Sequence, residues 1–222
     1  MNATEFQCLL QALAHELVEA HIHFNLYSNL QQAIPHYQEE LNQSTAFWSL
    51  TIRAHLDASV VRLCKIYEHH QGSLNLRNLL DTIQANIAFF DTVHFRERHK
   101  DNPFVESLSV EARKPDEKQL QKDIDYVTGK DKDEEQSKED SRKNNPVKSL
   151  MMWRHKVVAH RDTHFIIRQK NLADDYRLTI ADIAELLMKA DEILNRYSIL
   201  FDACAYSMHM IREDDYLLPD TF

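Results

Sequence analysis

The chain reads as an all-α protein on two observations. Its 222 residues include only two glycines, Gly72 and Gly129, and five prolines, whereas sheet-rich folds need Gly- and Pro-based turns at short intervals. Its apolar residues recur at spacings of three and four, the period of a helix with one buried face. At this length the chain can bury one sizeable core, and residues 1–222 are read as a single helical domain.

The elements follow in order. Phe6, Leu10, Leu13, Leu17, Ala20, Phe24 and Tyr27 form the inner face of a long first helix, which Pro35 interrupts. A second helix runs from about Ser44 to Glu68. Its segment FWSLTIRAHLDASVVRLCKIY is apolar around most of its circumference, which predicts a central place in a bundle. Gly72 is suited to end it and Ser73 to cap the next helix, LNLRNLLDTIQANIAFF. From His94 to Asn145 charge dominates. FRERHKDNPF reads as irregular and DEKQLQKDIDYV as a short helix. Residues 128–145 read as a solvated loop, with an acidic interaction tail as the alternative.

Pro146 sits where a helix can start, and MMWRHKVVAH continues that helix. THFIIRQK reads as extended and DDYRL as a turn. Thr179 and Asp182 have the spacing of a capping box. The last helix then carries Ile183, Leu186, Leu187, Ala190, Ile193, Leu194, Tyr197, Leu200, Phe201 and Cys204 on one face.

Several function classes drop out. Two isolated glycines cannot write a P-loop or a dinucleotide fingerprint. Three scattered cysteines, Cys8, Cys64 and Cys204, with no CxxC pair fit a reducing compartment and no thiolate zinc site. No cationic-then-apolar leader and no membrane-length apolar run is present, so the expected location is the cytoplasm. A net charge of −9 argues against sequence-blind nucleic-acid binding but permits a local basic site.

Such a segment exists. Lys148, Arg154, Lys156, Arg161, Arg168 and Lys170 stand against Asp162 alone between Val147 and Lys170, giving +5 where the rest of the chain carries −14. At about 100° per residue, Val147, Leu150, Met151, Val157 and Val158 share about a third of the helix circumference, and Arg154 projects from their midst. A guanidinium there needs a carboxylate, a wet cleft or an anionic ligand. A salt bridge to a neighbouring helix is the plain reading; the basic surroundings suit a phosphate-bearing ligand, with a basic face docked onto the acidic stretch at 131–140 as the alternative.

RHKVVAH, residues 154–160, resembles the Arg-polar-x4-His signature of the HEPN superfamily, helical proteins that include many metal-independent ribonucleases. WRHKVVAHRD, STAFWSLTIRAHLDASVVRLCKIY and SLNLRNLL are similar to its abortive-infection AbiU-type (AbiU2-like) branch. The resemblance implies an HEPN-like helical bundle with a long polar insertion, residues 94–145, before the motif helix. It also implies that Arg154 is the family arginine, His155 its polar companion (more often Asn in the family) and His160 the catalytic histidine. A homodimer with a composite cleft follows from the family pattern, and an arginine within an apolar stripe suits such a seam, where Met152 and Trp153 could pack, although plain core is the commoner role of either.

The chemistry is self-consistent. RNA supplies its own nucleophile, the 2′-hydroxyl. A histidine near neutral pH can move the protons, and an arginine can hold two phosphate oxygens while staying charged. Arg154 is the expected phosphate clamp, His160 the general acid or base, and His155 an orienting group or second proton carrier. Lys148, Lys156 and Arg161 are the expected RNA-binding residues. No cofactor and no metal are expected. His15, Glu19 and His23 share a face at ligand spacing, but HExxH is absent and the plain reading is a solvated face. His69 and His70 read as the favourable cations of a helix C-terminus.

The expected function is therefore a metal-independent endoribonuclease, a toxin or antiphage effector with an RNA substrate and a neutralising antitoxin. The alternative is a non-catalytic HEPN module that binds RNA, nucleotide or a protein. An intact Arg154/His160 pair favours the enzyme; a cleft blocked by the protein's own carboxylates favours the module. Scattered ligands disfavour a helical metalloenzyme.

Overall fold

A computed structural model describes residues 2–109, 113–130, 145–155 and 177–207. Among these residues the secondary structure is helical throughout, without strands. The helices are α1 (Ala3–Ala33), α2 (Gln38–Asn42), α3 (Thr45–Ile66), α4 (Leu76–Ala85), α5 (Thr92–Arg98), α6 (Val105–Leu108), α7 (Glu117–Val127), α8 (Pro146–Trp153) and α9 (Ile180–Asp202), with a 3-10 turn at Ile87–Phe90.

Helix α1 starts at a capping box, Asn2 with Glu5, and its 31 residues span about 46 Å at 1.5 Å per residue. Its expected inner face is buried from Phe6 to Ala20, and Phe24 packs at the margin. Helix α3 lies antiparallel to it, because residue numbers rise on one as they fall on the other. His55 meets His23, the Ser59 hydroxyl donates to the Ala20 carbonyl, and Arg62 reaches Glu16 and Glu19.

Helix α3 is not the enclosed centre that its composition suggests. It buries Ile52, Ser59, Leu63, Cys64 and Ile66, yet leaves Phe47, Leu50 and Val61 exposed. An all-round apolar sequence says that much surface could be buried, not that neighbours suffice to bury it. The more deeply buried helix is α9, which packs against α1, α3, α8 and the 3-10 turn. Its start is the expected Thr179–Asp182 capping box, and Ile183, Leu186, Leu187, Ala190, Ile193, Leu194, Tyr197 and Phe201 are buried. Leu200 is only partly buried, and Cys204 is exposed beyond the helix end.

The polar insertion is more structured than its charge suggests. Helix α7 matches the short helix expected there, while FRERHKDNPF begins with the end of α5, Phe95–Arg98, and continues as the irregular turns expected of it until α6. Phe95 of α5 is fully buried. Arg98 stacks its guanidinium 3.9 Å from the Phe201 ring centroid and donates to the Phe89 and Phe201 carbonyls. Arg113 lies 3.7 Å over Phe95 and donates to the Ile199 carbonyl. These arginines act as apolar plates with donors, fastening the insertion to the end of α9. Asp123 of α7 accepts from Arg196 and from the buried Tyr197 hydroxyl, at 2.5 and 2.7 Å. Most of the segment read as a solvated loop, and THFIIRQK, lie outside the described residues.

Helix α4 is capped by Asn75 rather than Ser73: the Asn75 side chain accepts from the Asn78 amide, while the Ser73 hydroxyl pairs with His70 Nδ1 at 3.2 Å. Gly72 does turn the chain, at φ +84°. No helix among the described residues is long and apolar enough to cross a membrane.

Candidate functional site

Helix α8 is placed by its N-terminal turn. Asn145 accepts from the Lys148 amide at 3.0 Å and Pro146 occupies the first turn. Val147, Ser149 and Leu150 face the core, which leaves Lys148, Met151 and Met152 toward a cleft. At Arg154 and His155 the backbone widens into π-type turns, a departure that often accompanies functional positions. The angular positions drawn for a regular helix therefore do not extend past Arg154.

The partner of Arg154 is Glu68. Arg154 Nη2 donates to Glu68 Oε2 at 2.5 Å, with the arginine side chain 31% exposed and the glutamate 12%. The plain reading of the stripe thus holds: a guanidinium in an apolar setting has found a carboxylate. Cys64 lies within the electrostatic reach of both; burial first, then Glu68, pushes its thiol up to about 12 against the pull of Arg154.

Glu68 belongs to a junction just past the end of α3, where three successive residues reach three different helices. The fully buried Tyr67 donates its hydroxyl to the Leu186 carbonyl of α9 at 2.7 Å. Glu68 accepts from Arg154 at the end of α8. His69 Nε2 lies 3.0 Å from the Val127 carbonyl at the end of α7. Gly129 completes that corner at φ +65°, a backbone that calls for glycine, and a Cβ there would stand 3.0 Å from Lys148 Cγ.

These elements enclose a cleft of about 500 Å³ lined by His69, His70, Thr128, Val147, Lys148, Met151, Met152, Arg154 and His155. Two permanent cations and three imidazoles converge there, and no carboxylate is among the described lining residues. Such a lining favours an anion. A model of the HEPN-type AbiU2 family matches residues 3–218.

The chain belongs to the AbiU2 family.

No curated protein and no solved structure matches it. In this AbiU2-family chain the structure brings Lys148, Arg154 and His155 into one cleft. Lys156, His160 and Arg161 lie outside the described residues. Met152 lines the cleft, whereas Trp153 lines a separate groove with Ile52, Leu56, Val60 and Ile183. The face read as solvated is also different in kind. His15 is exposed, but Glu19 pairs with Arg62 and His23 Nδ1 lies 3.0 Å from His55 Nδ1. Among the described residues, no group of three or more His, Cys, Asp or Glu side chains is arranged to hold a metal ion.

Sequence reasoning missed Glu68 as the partner of Arg154, and His69 and His70 as part of the same cleft. They do stand at a helix C-terminus as read. Nothing in the helical period says which distant helix end they will face.

Proposed function

We propose that this AbiU2-family chain is a metal-independent endoribonuclease, a toxin or antiphage effector, in which Arg154 clamps the scissile phosphate. The observation that supports it is the cleft that gathers Arg154, Lys148 and three imidazoles, with no carboxylate among its described lining residues. The 2′-hydroxyl loses its proton and attacks the adjacent phosphorus. The 5′-oxygen then leaves with a proton, giving a 2′,3′-cyclic phosphate and a 5′-hydroxyl end. His160 is the general acid or base by family resemblance, with His155 orienting or sharing the proton work. Lys148, Lys156 and Arg161 hold neighbouring phosphates. Two copies meet around their motif helices, and a neutralising protein restrains them in the healthy cell, in the cytoplasm.

The Arg154–Glu68 ion pair favours a second reading, a non-catalytic module that binds RNA, nucleotide or a protein. A guanidinium offers five N–H donors in a fixed fork, and Glu68 engages Nη2; a carboxylate on one edge is compatible with a phosphate on another. That keeps the nuclease reading first.

Purified protein should cleave RNA in EDTA, leave cyclic phosphate ends and spare DNA, which lacks the nucleophile. His160→Ala should lower the rate by about 10²–10⁴-fold. Arg154→Lys should also be damaging, because an ammonium cannot make paired contacts. Activity that requires a divalent metal, or an unaffected His160→Ala variant, would defeat the mechanism. RNA binding without cleavage would favour the module.

A further inference from the structure

In-line displacement at phosphorus places the entering 2′-oxygen and the leaving 5′-oxygen on opposite sides of the phosphate, so two proton carriers serve it better than one. Arg154 and His155 come from the α8 end of the cleft, and His160 follows on the same stretch of chain. Among the described lining residues, the histidines on an element other than α8 are His69 and His70. The junction after α3 supplies two histidines, and their bonding distinguishes them.

His69 Nε2 lies 3.0 Å from the Val127 carbonyl. A carbonyl oxygen can only accept, so Nε2 carries the proton, and the neutral ring keeps its lone pair on Nδ1. His70 Nδ1 instead meets the Ser73 hydroxyl at 3.2 Å, a group that donates or accepts, so its tautomer is not fixed. Val127 is also the last residue of α7. A ring that takes up a proton there places its charge against a helix C-terminus, the end where cations are accommodated. Backbone orientation of one imidazole nitrogen while the other works is a recurring arrangement in proton-transfer sites.

We propose that His69 is the general base of RNA cleavage: its Nδ1 takes the 2′-hydroxyl proton as the 2′-oxygen bonds to phosphorus, and His160 gives a proton to the departing 5′-oxygen. The assignment rests on the nuclease reading above. It gives His69 a catalytic task beyond closing the end of α7.

The test is His69→Gln, whose side-chain amide can still donate to Val127 but cannot take a proton. The variant should keep the wild-type circular dichroism spectrum, cleave RNA about 10²–10⁴-fold more slowly, and lose the acidic limb of the pH–rate profile. A variant as fast as wild type, or a slower one that keeps that limb, overturns the assignment while leaving the nuclease reading intact. Wild-type protein that cleaves no RNA overturns both. A measurement on the unsubstituted protein covers the case of a variant that fails to fold. Its ¹⁵N shifts at high pH should place the His69 proton on Nε2 and the lone pair on Nδ1; the reverse tautomer overturns the proposal.

Discussion

The Arg154 guanidinium has Glu68 on one of its nitrogens and an anion-favouring cleft beside it. Glu68→Gln keeps the shape and an acceptor oxygen but removes the competing charge. Stability should fall by about 1–2 kcal/mol, the scale of a charge-assisted bond at a partly exposed site, while RNA affinity should rise. Thermal melting and filter binding measure the two effects; a variant that binds RNA more weakly would mean that Glu68 aims Arg154 rather than occupying it. Cys64 gives a second residue-level prediction. Its raised titration leaves a neutral, buried thiol, and the thiolate is the reactive form. Iodoacetamide should label the exposed Cys8 and Cys204 of native protein well before Cys64, as read by peptide mass. That Arg154 needed an anionic partner was legible from its place in an apolar stripe. Which carboxylate would serve was not, because Glu68 stands 86 positions away and helical periodicity carries no information across that span.

Between α1 and α3 the His23–His55 pair makes packing sensitive to pH. One neutral ring can donate to the other across 3.0 Å; two imidazolium rings cannot. Burial chiefly, then His55 and Arg62, lowers the His23 titration below its ordinary value of 6.5, against a smaller opposing pull from Glu19. The unfolded chain therefore binds this proton more readily than the folded one. The associated stability is complete above about pH 6.5 and is lost as pH falls through the lower folded value. Melting temperature should drop between pH 7 and 5, and His23→Gln should flatten that slope; an unchanged slope would assign the loss to other groups. Elements whose signals are local were legible: the Thr179–Asp182 box, the Pro146 start and the buried faces of α1 from Phe6 to Ala20 and of α9 from Ile183 to Tyr197 stand where the spacing puts them. Helix α3 and the insertion were not. Burial of α3 depends on how many neighbours reach it, and α5 is held by Arg98 and Arg113 lying flat on Phe201 and Phe95, charged residues that a composition reading assigns to solvent.

For the whole molecule, the proposed pairing of two copies around their motif helices predicts a dimer mass by light scattering at micromolar concentration; monomer alone would remove the composite site. The all-α class followed from scarce glycine and the three-and-four spacing, and the AbiU2 family from the motif helix with its upstream segments. The way the bundle assembles its cleft was beyond reach of either signal, since it depends on where helix ends meet. Tyr67, Glu68 and His69 find partners 119, 86 and 58 positions further along the chain. During synthesis α3 leaves the ribosome long before Leu186 exists to receive the Tyr67 hydroxyl. Until that carbonyl arrives the junction has no anchor in the last helix, and Arg154 and His69 have no fixed wall between them. The described residues that line the cleft, from His69 to His155, are therefore all made before the carbonyl that anchors their junction, and the last helix closes the structure from behind.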